Sequence, residues 1–353
     1  MTEEKTASAR KRRGSGRATI HDVARLARVG SITVSRYLKQ PSQVSSELGA
    51  RIAQAVSELH YVPNLVAGGL ASTHSRVVGM VIPNISGPIF ANTIESFSDI
   101  LSAHGYQLLL ASSYFSQEQE ENAVRAFLGW SPAALVVTGP FHSKATEKML
   151  AQAQIPVVET WDYRPRRKPI QVGFSNVEAG RQQARYLLDQ GHRRIAFVQN
   201  SLPGDLSALD RRDGYLQAMA EAGLEPWSFI PTEPAPFDAG RQAFEALALS
   251  KRQRQRAQAI IFANDNLAAG ALLAGQRAGV SLPEHCALMG FGDYAISPLL
   301  LPSLTTLRPP ARAIGEIAAL RILETLGAVP GDGAQAKARL NRLACEVIAR
   351  ESA

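Results

Sequence analysis

TIHDVARLARVGSITVSRYL, residues 19–38, contains two short helical patterns separated by a tight turn. The first begins at Thr19, which forms a capping-box-like start with Asp22, and its apolar residues fall on one helical face. The second pattern covers residues 31–39 and has one polar face, and a third helix is expected from near Ser45. Three compact helices with a turn between the first two are what a helix-turn-helix requires.

The positive charge of the chain is concentrated around this stretch. The 353 residues carry a formal net charge of +7, and residues 1–75 hold 11 Lys or Arg against 5 Asp or Glu, which leaves +1 for residues 76–353. A small basic module on a nearly neutral body favours nucleic acid as the partner. Residues 1–18 are polar, basic and rich in Gly and Ser, so a disordered arm is expected there.

Composition and motifs disfavour several other classes of protein. No apolar run approaches the roughly 20 residues that span a bilayer, and the N-terminus lacks the apolar segment of a secretory signal. The two cysteines, Cys286 and Cys345, are typical of a reducing compartment, so we expect a cytoplasmic protein without membrane contact. No hydrolase, metalloprotease or nucleotide-binding motif is present and the histidines are scattered, so the sequence predicts no enzyme activity, cofactor or metal.

Residues 76–353 follow a different pattern, in which short apolar runs alternate with amphipathic stretches. Continuous apolar strands separated by helices predict parallel sheets covered on both faces. Eight strands are too many for one open sheet, so two sheets facing a cleft are expected. Strands are predicted at 77–83, 106–112, 134–138, 155–160, 170–174, 194–199, 259–264 and 286–291. Helices are predicted at 90–103, 117–129, 177–190, 209–222, 238–249, 265–278 and 310–326.

Residues 19–72 closely resemble the DNA-binding headpiece of the lactose/galactose repressor (LacI/GalR) family. The resemblance is carried by T-x-x-D-V-A, by the V-S-x-x-T-V-S-R core and by Y-x-P-N, and it continues through the rest of the chain. Gly30 departs from the family, which usually has Ser or Thr as the cap at this position; Gly weakens such a cap by a few tenths of a kcal/mol.

The family resemblance implies an α/β protein of two parts. A three-helix helix-turn-helix headpiece and a hinge precede a periplasmic-binding-protein-like core of two doubly wound α/β subdomains. The implied division is a basic arm at 1–18, the headpiece at 19–62, the hinge helix at 63–75 and the core at 76–353, with an N-subdomain at about 76–174 and 308–333 and a C-subdomain at about 177–306 and 338–353.

The resemblance also implies which residues contact DNA. The hinge contains Gly68 and Gly69, each costing about 1 kcal/mol against Ala within a helix, so it is expected to order only on DNA. The implied contacts are Ser31, Ile32 and Arg36 to bases, Thr33, Ser35 and Asn64 to the DNA backbone, and Leu70 as a wedge in the minor groove.

The family resemblance also implies which residues bind the ligand. Arg211 matches an arginine that grips ligand oxygens, although a surface salt bridge is the alternative. Asp265 could instead cap the following helix, and Phe90 could belong to the core. The implied set is Arg211, Asn264, Phe90, Trp161, Ser175 and Asp265.

Three departures from the family indicate the class of ligand. Members that bind neutral sugars or nucleosides carry carboxylates where this chain has Trp161, Ser175 and Gly292. Fewer acids beside a retained arginine favour an anionic ligand. VVETWD and VGFSNVEAG also resemble the gluconate-type repressors of the family. The sequence therefore predicts a repressor released from DNA by a sugar acid of the gluconate or ketogluconate class.

Three alternatives stay open beside this prediction: a response to a neutral sugar, a regulator that needs its ligand to bind DNA, and a sugar-binding protein without a DNA role. The expected partners are a palindromic double-stranded DNA operator, a small-molecule effector and a second copy of the chain. The Ala-, Leu- and Gly-rich helix at 265–278 and the apolar run at 298–302 are the candidate face of this homodimer, with internal packing as the alternative.

Overall fold

The structure, a computed structural model, describes residues 18–63, 75–85, 87–165, 169–202, 204–249, 256–331 and 341–353. The chain divides into two compact units, Met1–His74 and Ser75–Ala353. Nearly all of the predicted arm and most of the predicted hinge lie outside the described residues, including Asn64 and Leu70.

Three helices build the first unit: α1 (Ile20–Leu26), α2 (Ser31–Lys39) and α3 (Ser46–Glu58). The predicted capping box is confirmed, because the Thr19 hydroxyl accepts from the Asp22 N–H while the Asp22 carboxylate accepts from the Thr19 N–H at 2.9 Å. Gly30 caps α2 without a side-chain hydrogen bond. The helices enclose one small apolar core of Val23, Ala24, Ala27, Val34, Ile52 and Ala55.

The second unit begins with a five-stranded parallel sheet in the order β2-β1-β3-β4-β5. Its strands are β1 (Val77–Ile82), β2 (Gln107–Ser112), β3 (Ala134–Thr138), β4 (Val157–Thr160) and β5 (Ile170–Val172). The helices between them are α4 (Ala91–Ala103), α5 (Gln117–Gly129) and α6 (Lys144–Gln152).

A second sheet of six strands has the order β11-β10-β9-β8-β6-β7 and is parallel except for β11, which runs antiparallel to β10. Its strands are β6 (Ile195–Val198), β7 (Trp227–Phe229), β8 (Ala259–Phe262), β9 (Ala287–Phe291), β10 (Thr305–Arg308) and β11 (Glu346–Ile348). The helices are α7 (Asn176–Asp189), α8 (Leu206–Glu221), α9 (Pro236–Ala248), α10 (Asp265–Arg277) and α11 (Ala311–Thr325).

Helix α11 lies between β10 and β11 of the second sheet in sequence but packs on the first sheet. Thr93 Oγ1 donates to the carbonyl of Ala311 at 2.6 Å, and Ser96 Oγ donates to the carbonyl of Arg312 at 2.9 Å. We call the first sheet with α4–α6 and α11 the first lobe, and the second sheet with α7–α10 the second lobe. The chain passes between the lobes at 173–175, at 309–310 and within 326–345.

All eight predicted strands and all seven predicted helices of this unit are present, with ends that differ by up to three residues. The sequence pattern does not predict β7, β10, β11 or α6. β7 has three residues that are not fully buried, and α6 buries only Thr146, so neither carries a strong apolar pattern. The predicted subdomain limits stay predictions, because the third passage between the lobes includes residues outside the described ranges. No helix within those ranges is both long and apolar enough to cross a membrane.

Candidate nucleic-acid interface and ligand cleft

The outward face of α2 is the candidate nucleic-acid interface. Ile32 is apolar yet 75 % exposed, whereas Val34 on the inner face is fully buried. The last turn carries Arg36 and Lys39, and the first turn carries no acid. A shallow concavity on this face is lined by Ile32, Ser35, Arg36, Lys39, Gln40 and Gln43. Cations, amides and one exposed apolar side chain are the groups that contact phosphates and base edges.

The concavity brings together three of the predicted DNA contacts, Ile32, Ser35 and Arg36. Ser31 and Thr33 are half-buried on the same helix and lie outside its lining. Sequence reasoning centred on the helix and missed the residues that continue the surface past its end. These are Gln40 and Gln43, since Lys39 is the last residue of α2 itself.

Arg51 of α3 supports the turn that leads into α2. Its Nη2 donates to the carbonyl of Ala27 at 2.6 Å and to that of Arg28 at 3.3 Å. These carbonyls lie at the end of α1, where a cation satisfies backbone groups that have no partner in the helix. The third helix thereby fixes the position of α2 relative to α1.

The candidate ligand cleft lies where the carboxyl ends of the strands of the two lobes meet, the usual ligand position in open α/β sheets. Four aromatic rings run across it. Phe90 and Trp161 are 4.8 Å apart in an edge-to-face contact, Trp161 and Phe174 are 6.1 Å apart, and Phe174 and Phe291 are 6.2 Å apart. Since Trp161 belongs to the first lobe and Phe291 to the second, the rings form a continuous wall between the lobes.

Arg211 of α8 ends this wall. Its guanidinium carbon lies 4.1 Å from the centroid of the Phe291 ring, and the side chain is buried. Nη2 donates to the carbonyl of Ala263 at 3.2 Å, while Nε has no hydrogen-bond partner among the described residues. Burial lowers the pKa of Arg211, and the nearby carboxylate of Asp205 acts in the opposite direction. The result is a buried cation with an unused donor.

Asn176 joins the arginine to the tryptophan. Its Oδ1 accepts a hydrogen bond from Nη1 of Arg211 at 2.8 Å, and its Nδ2 donates to the carbonyl of Trp161 at 3.2 Å. The indole Nε1 of Trp161 is buried and has no partner in the described part of the chain. Two N–H donors, one from each lobe, are therefore unsatisfied at the two ends of the Asn176 bridge.

The other predicted ligand residues have structural partners. Asn264 caps α10, since its Oδ1 accepts from the Leu267 N–H at 3.1 Å. Ser175 caps α7, since its Oγ accepts from the Glu178 N–H at 3.2 Å. Phe90 is buried against Trp161. The structure thus places Arg211, Trp161 and Phe90 along the aromatic wall and gives Asn264 and Ser175 a helix-capping role.

Asp265 is assigned a structural role in place of the predicted ligand contact. It is fully buried, and its carboxylate accepts from the Tyr294 N–H at 2.8 Å, from Ser297 Oγ at 2.7 Å and from Thr306 Oγ1 at 2.7 Å. Burial raises the pKa of Asp265, although these hydrogen bonds oppose the shift. The predicted alternative of a helix cap is also replaced, because the cap of α10 is Asn264.

Gly292 has a conformational reason to be glycine. Its φ is +130°, and a Cβ at this position would lie 2.3 Å from Cε1 of Tyr294. Only glycine adopts this backbone conformation without strain. The local backbone and the Tyr294 ring thus give a reason for glycine at 292 that is independent of the charge of the ligand.

Sequence reasoning missed an ionic group beside the aromatic wall. Arg164, between β4 and β5, donates to Asp210 of α8 through Nη2 and lies 3.4 Å from Asp162. Burial raises the pKa of both Asp162 and Asp210, and the nearby charge of Arg164 only partly opposes it. Each member of the group is close in sequence to Trp161 or Arg211, and that adjacency was the signal available.

A second buried polar cluster lies in the first lobe. His142 Nδ1 is 2.7 Å from Glu120 and its Nε2 is 3.7 Å from Glu159, whose other oxygen accepts from Gln171 at 2.9 Å. Burial alone would lower the pKa of His142, but the two glutamates outweigh it and raise it to about 9. No group of three or more His, Cys, Asp or Glu side chains within the described ranges is arranged to hold a metal ion.

The structure buries one part of the predicted dimer face and exposes the other. Most of α10 is buried within the lobe, as the internal-packing alternative required, and Leu273 is its exposed large apolar side chain. In the following apolar run, Leu299 is 77 % exposed and Leu301 is 74 % exposed. These leucines are the part of the predicted face that is free to contact a second copy.

Comparison with known proteins identifies related sequences and folds. The profile of the bacterial regulatory proteins, lacI family, matches residues 19–64, and that of the periplasmic binding protein-like domain matches residues 184–353. The chain is 34 % identical over 307 residues to the HTH-type transcriptional regulator GntR of Escherichia coli K12, covering 87 % of this chain and 91 % of that protein. It is 34 % identical over 342 residues to the regulator of the same name from Pseudomonas aeruginosa, covering 96 % and 97 %. A LacI family transcriptional regulator from Silicibacter pomeroyi superimposes with a TM-score of 0.85 at 29 % identity, covering 95 % and 99 %.

Proposed function

The chain belongs to the lacI family of bacterial regulatory proteins, and we propose that it is a repressor that leaves its operator when a sugar acid binds between its lobes. In this proposal a homodimer in the cytoplasm binds a palindromic operator through the α2 face of each copy. The relatives named above are transcriptional regulators, and we assign no catalytic role to this chain.

One observation carries the choice of ligand: within the described part of the chain, the buried Arg211 guanidinium has an Nε–H without a hydrogen-bond partner. A buried donor without a partner costs about 1–3 kcal/mol, and more when it is charged, so a ligand that accepts from it gains that free energy. A carboxylate is the acceptor that suits a guanidinium best. The unpartnered Nε1–H of Trp161 offers the same ligand a second, neutral donor.

Polar acceptors in the cleft support hydroxyl groups on the same ligand. Gln199 follows β6 and its Oε1 is buried without a partner among the described residues. Asp205 precedes α8, and its charge raises the pKa of Arg211. Its carboxylate already accepts from the Ala208 N–H at 3.0 Å and from Asn200 Nδ2 at 2.6 Å, and lone pairs remain for a hydroxyl. In a ligand with one carboxylate and several hydroxyls, the carboxylate pairs with the Arg211 and Trp161 donors. The hydroxyls pair with the acceptors of Gln199 and Asp205. Gluconate and 2-ketogluconate have this chemistry, whereas a neutral sugar offers the Arg211 Nε–H only hydroxyl or ring oxygens, which are weaker acceptors than a carboxylate.

The positions of the Trp161 and Arg211 donors suggest how ligand binding changes DNA binding. Trp161 belongs to the first lobe and Arg211 to the second, so a ligand held by both favours one relative arrangement of the lobes. Only its difference in affinity between two arrangements shifts the equilibrium between them. In the proposed repressor, the favoured arrangement is the one in which the two headpieces of the dimer no longer match the operator half-sites.

Operator release tests the function directly. An operator is selected from random double-stranded DNA with the full chain, and gel shifts are then measured with gluconate, 2-ketogluconate, glucose or no addition. The proposal expects a shifted band that the acids abolish and that glucose leaves in place. Release by glucose alone favours the neutral-sugar alternative, and a band that forms only with the acid favours a regulator that needs its ligand to bind DNA.

A further inference from the structure

The ion pair between Arg164 and Asp210 connects the two lobes. Arg164 lies in the segment between β4 and β5 of the first lobe, and Asp210 lies in α8 of the second. The lobes also approach each other where a Cβ on Gly204 would lie 1.9 Å from the carbonyl oxygen of Phe115. The pair therefore spans a boundary at which the two lobes are already in contact.

Each partner of this ion pair is close in sequence to one of the two residues whose N–H donors are unsatisfied, Arg211 and Trp161. Asp210 directly precedes Arg211 on α8, so the two residues move together with the helix. Arg164 is three residues after Trp161 in the same connecting segment. A change in the Arg164–Asp210 contact consequently changes the spacing between the Trp161 indole N–H and the Arg211 guanidinium.

Arg164 is anchored on the first lobe by three further contacts. Its guanidinium carbon lies 4.6 Å from the centroid of the Phe141 ring, and Nε lies 3.4 Å from Asp162. Its backbone N–H donates to Gln171 Oε1 at 3.1 Å. A side chain held in this way transmits the position of Asp210 to the segment that carries Trp161.

We propose that Arg164 and Asp210 are a positioning pair that sets the spacing between Trp161 and Arg211 and thereby the affinity of the cleft for its acidic effector. The inference rests on the proposed function for its ligand. It assigns to Arg164 no direct contact with the effector. The side chain of Arg164 is 39 % exposed and that of Asp210 is 18 % exposed, so salt partly screens the pair and the expected effects are modest.

The first test is a double-mutant cycle on effector affinity with the full chain. Gluconate is titrated by calorimetry at low salt into wild type, Arg164→Gln, Asp210→Asn and the double variant. Each single variant is expected to bind gluconate about two- to five-fold more weakly, and the double variant no more weakly than either single one. If Arg164→Gln weakens binding while Asp210→Asn does not, the effect of Arg164 does not pass through Asp210 and the positioning pair is wrong.

An ion pair within one lobe gives the matched control. Arg181 Nη2 lies 3.3 Å from Glu221, and both residues are on helices of the second lobe. Arg181→Gln with Glu221→Gln removes this pair, and with it the contact between Glu221 and Arg185 at 3.2 Å, without touching the boundary. Gluconate affinity is expected to stay within about two-fold of wild type in this variant. If this control loses as much gluconate affinity as the Arg164 and Asp210 variants, the effect comes from a general loss of stability and the inference is overturned.

A second test needs no ligand. Spin labels are placed on each lobe with Ser102→Cys on α4 and Glu245→Cys on α9, both exposed, and the distance distribution between them is measured with and without Asp210→Asn. The inference expects a broader distribution in the variant. An unchanged distribution would overturn it. If gluconate fails to bind wild type, the proposed function fails, and this measurement still decides whether the pair holds the lobes.

Discussion

Asn176 accepts a hydrogen bond from the guanidinium of Arg211 at 2.8 Å, and both side chains are buried. The same amide donates to the carbonyl of Trp161 at 3.2 Å. One side chain therefore holds the cation of the second lobe and the backbone of the aromatic residue of the first. Because Asn176 is also the first residue of α7, its position is set by the helix that Ser175 caps.

Replacing this amide tests the arrangement. Asn176→Ala leaves a buried guanidinium hydrogen without its acceptor, so we expect a loss of about 1–3 kcal/mol in the free energy of unfolding and a loss of gluconate affinity of about ten-fold. Urea unfolding and calorimetry measure the two effects. The control is Gln217→Ala, which removes an exposed amide on α8 that is hydrogen-bonded to Arg181. It should change the free energies of unfolding and of gluconate binding by no more than about 0.5 kcal/mol each. Gluconate affinity at the wild-type level in Asn176→Ala contradicts the role given to the bridge.

The α2 face predicts the effect of removing one cation. Arg36→Ala should weaken operator binding by about 1–3 kcal/mol per subunit if the side chain contacts a base, with a shallower dependence on salt if it contacts phosphate. Arg25→Ala removes the same charge from α1, where Arg25 is exposed and paired with Asp22 at 2.9 Å, and is the matched control. Anisotropy titrations of labelled operator at several salt concentrations decide between these outcomes. Equal operator affinities for wild type and Arg36→Ala would show that α2 does not contact the operator as proposed.

Gly292 gives a prediction opposite to that of the sequence pattern. If the missing carboxylate at 292 determined the ligand, Gly292→Asp would move the specificity toward neutral sugars. The structure predicts lost stability instead, because φ is +130° and the new Cβ would meet the Tyr294 ring; the strained backbone alone costs about 1–3 kcal/mol.

Gly191→Asp is the control for this prediction. Gly191 has φ +92°, and apart from its chain neighbours no atom of the described residues lies within 4 Å of the position that a Cβ would take there, so this variant isolates the backbone cost. The melting temperature should be highest for wild type, lower for Gly191→Asp and lowest for Gly292→Asp. A well-folded Gly292→Asp protein that binds glucose would show that the glycine does report on the ligand.

His142 predicts how stability depends on pH. Its pKa in the fold is raised to about 9 from an ordinary value of 6.5, so the fold favours the imidazolium between Glu120 and Glu159. The stabilisation is complete below about pH 6.5 and is lost as the pH rises through about 9. The unfolding free energy of wild type should therefore fall relative to that of His142→Gln between about pH 7 and 10. A difference that stays constant over this range would mean that His142 is neutral in the fold.

Local patterns made the headpiece and most of the core predictable. The Thr19–Asp22 capping box and the apolar spacing of α1 to α3 depend on residues three or four apart, and such spacings are visible in one sequence. The buried strands of the two lobes are continuous apolar runs, which are also local signals. Short edge strands such as β7 lack both signals, because three half-exposed residues form no pattern.

The cleft was less predictable because its contacts are not local. Asp265 looked like a ligand residue, but its acceptors serve Ser297 and Thr306, 32 and 41 residues away. Arg164 and Asp210 are 46 residues apart, and only the fold brings them together. Family resemblance points to positions 211 and 161, and the structure adds that each of Arg211 and Trp161 has a donor without a partner among the described residues.

The claim that Arg211 selects an acid is tested most directly by calorimetry on the unmodified full chain. Gluconate, 2-ketogluconate, glucose and a purine are titrated under one condition of salt and pH. We expect one of the acids to bind about 100-fold more tightly than glucose, since glucose offers the buried guanidinium only neutral acceptors and leaves its charge without a counter-ion. Glucose or a purine binding as tightly as both acids would contradict the anionic-ligand assignment, and with it the role proposed for Arg211.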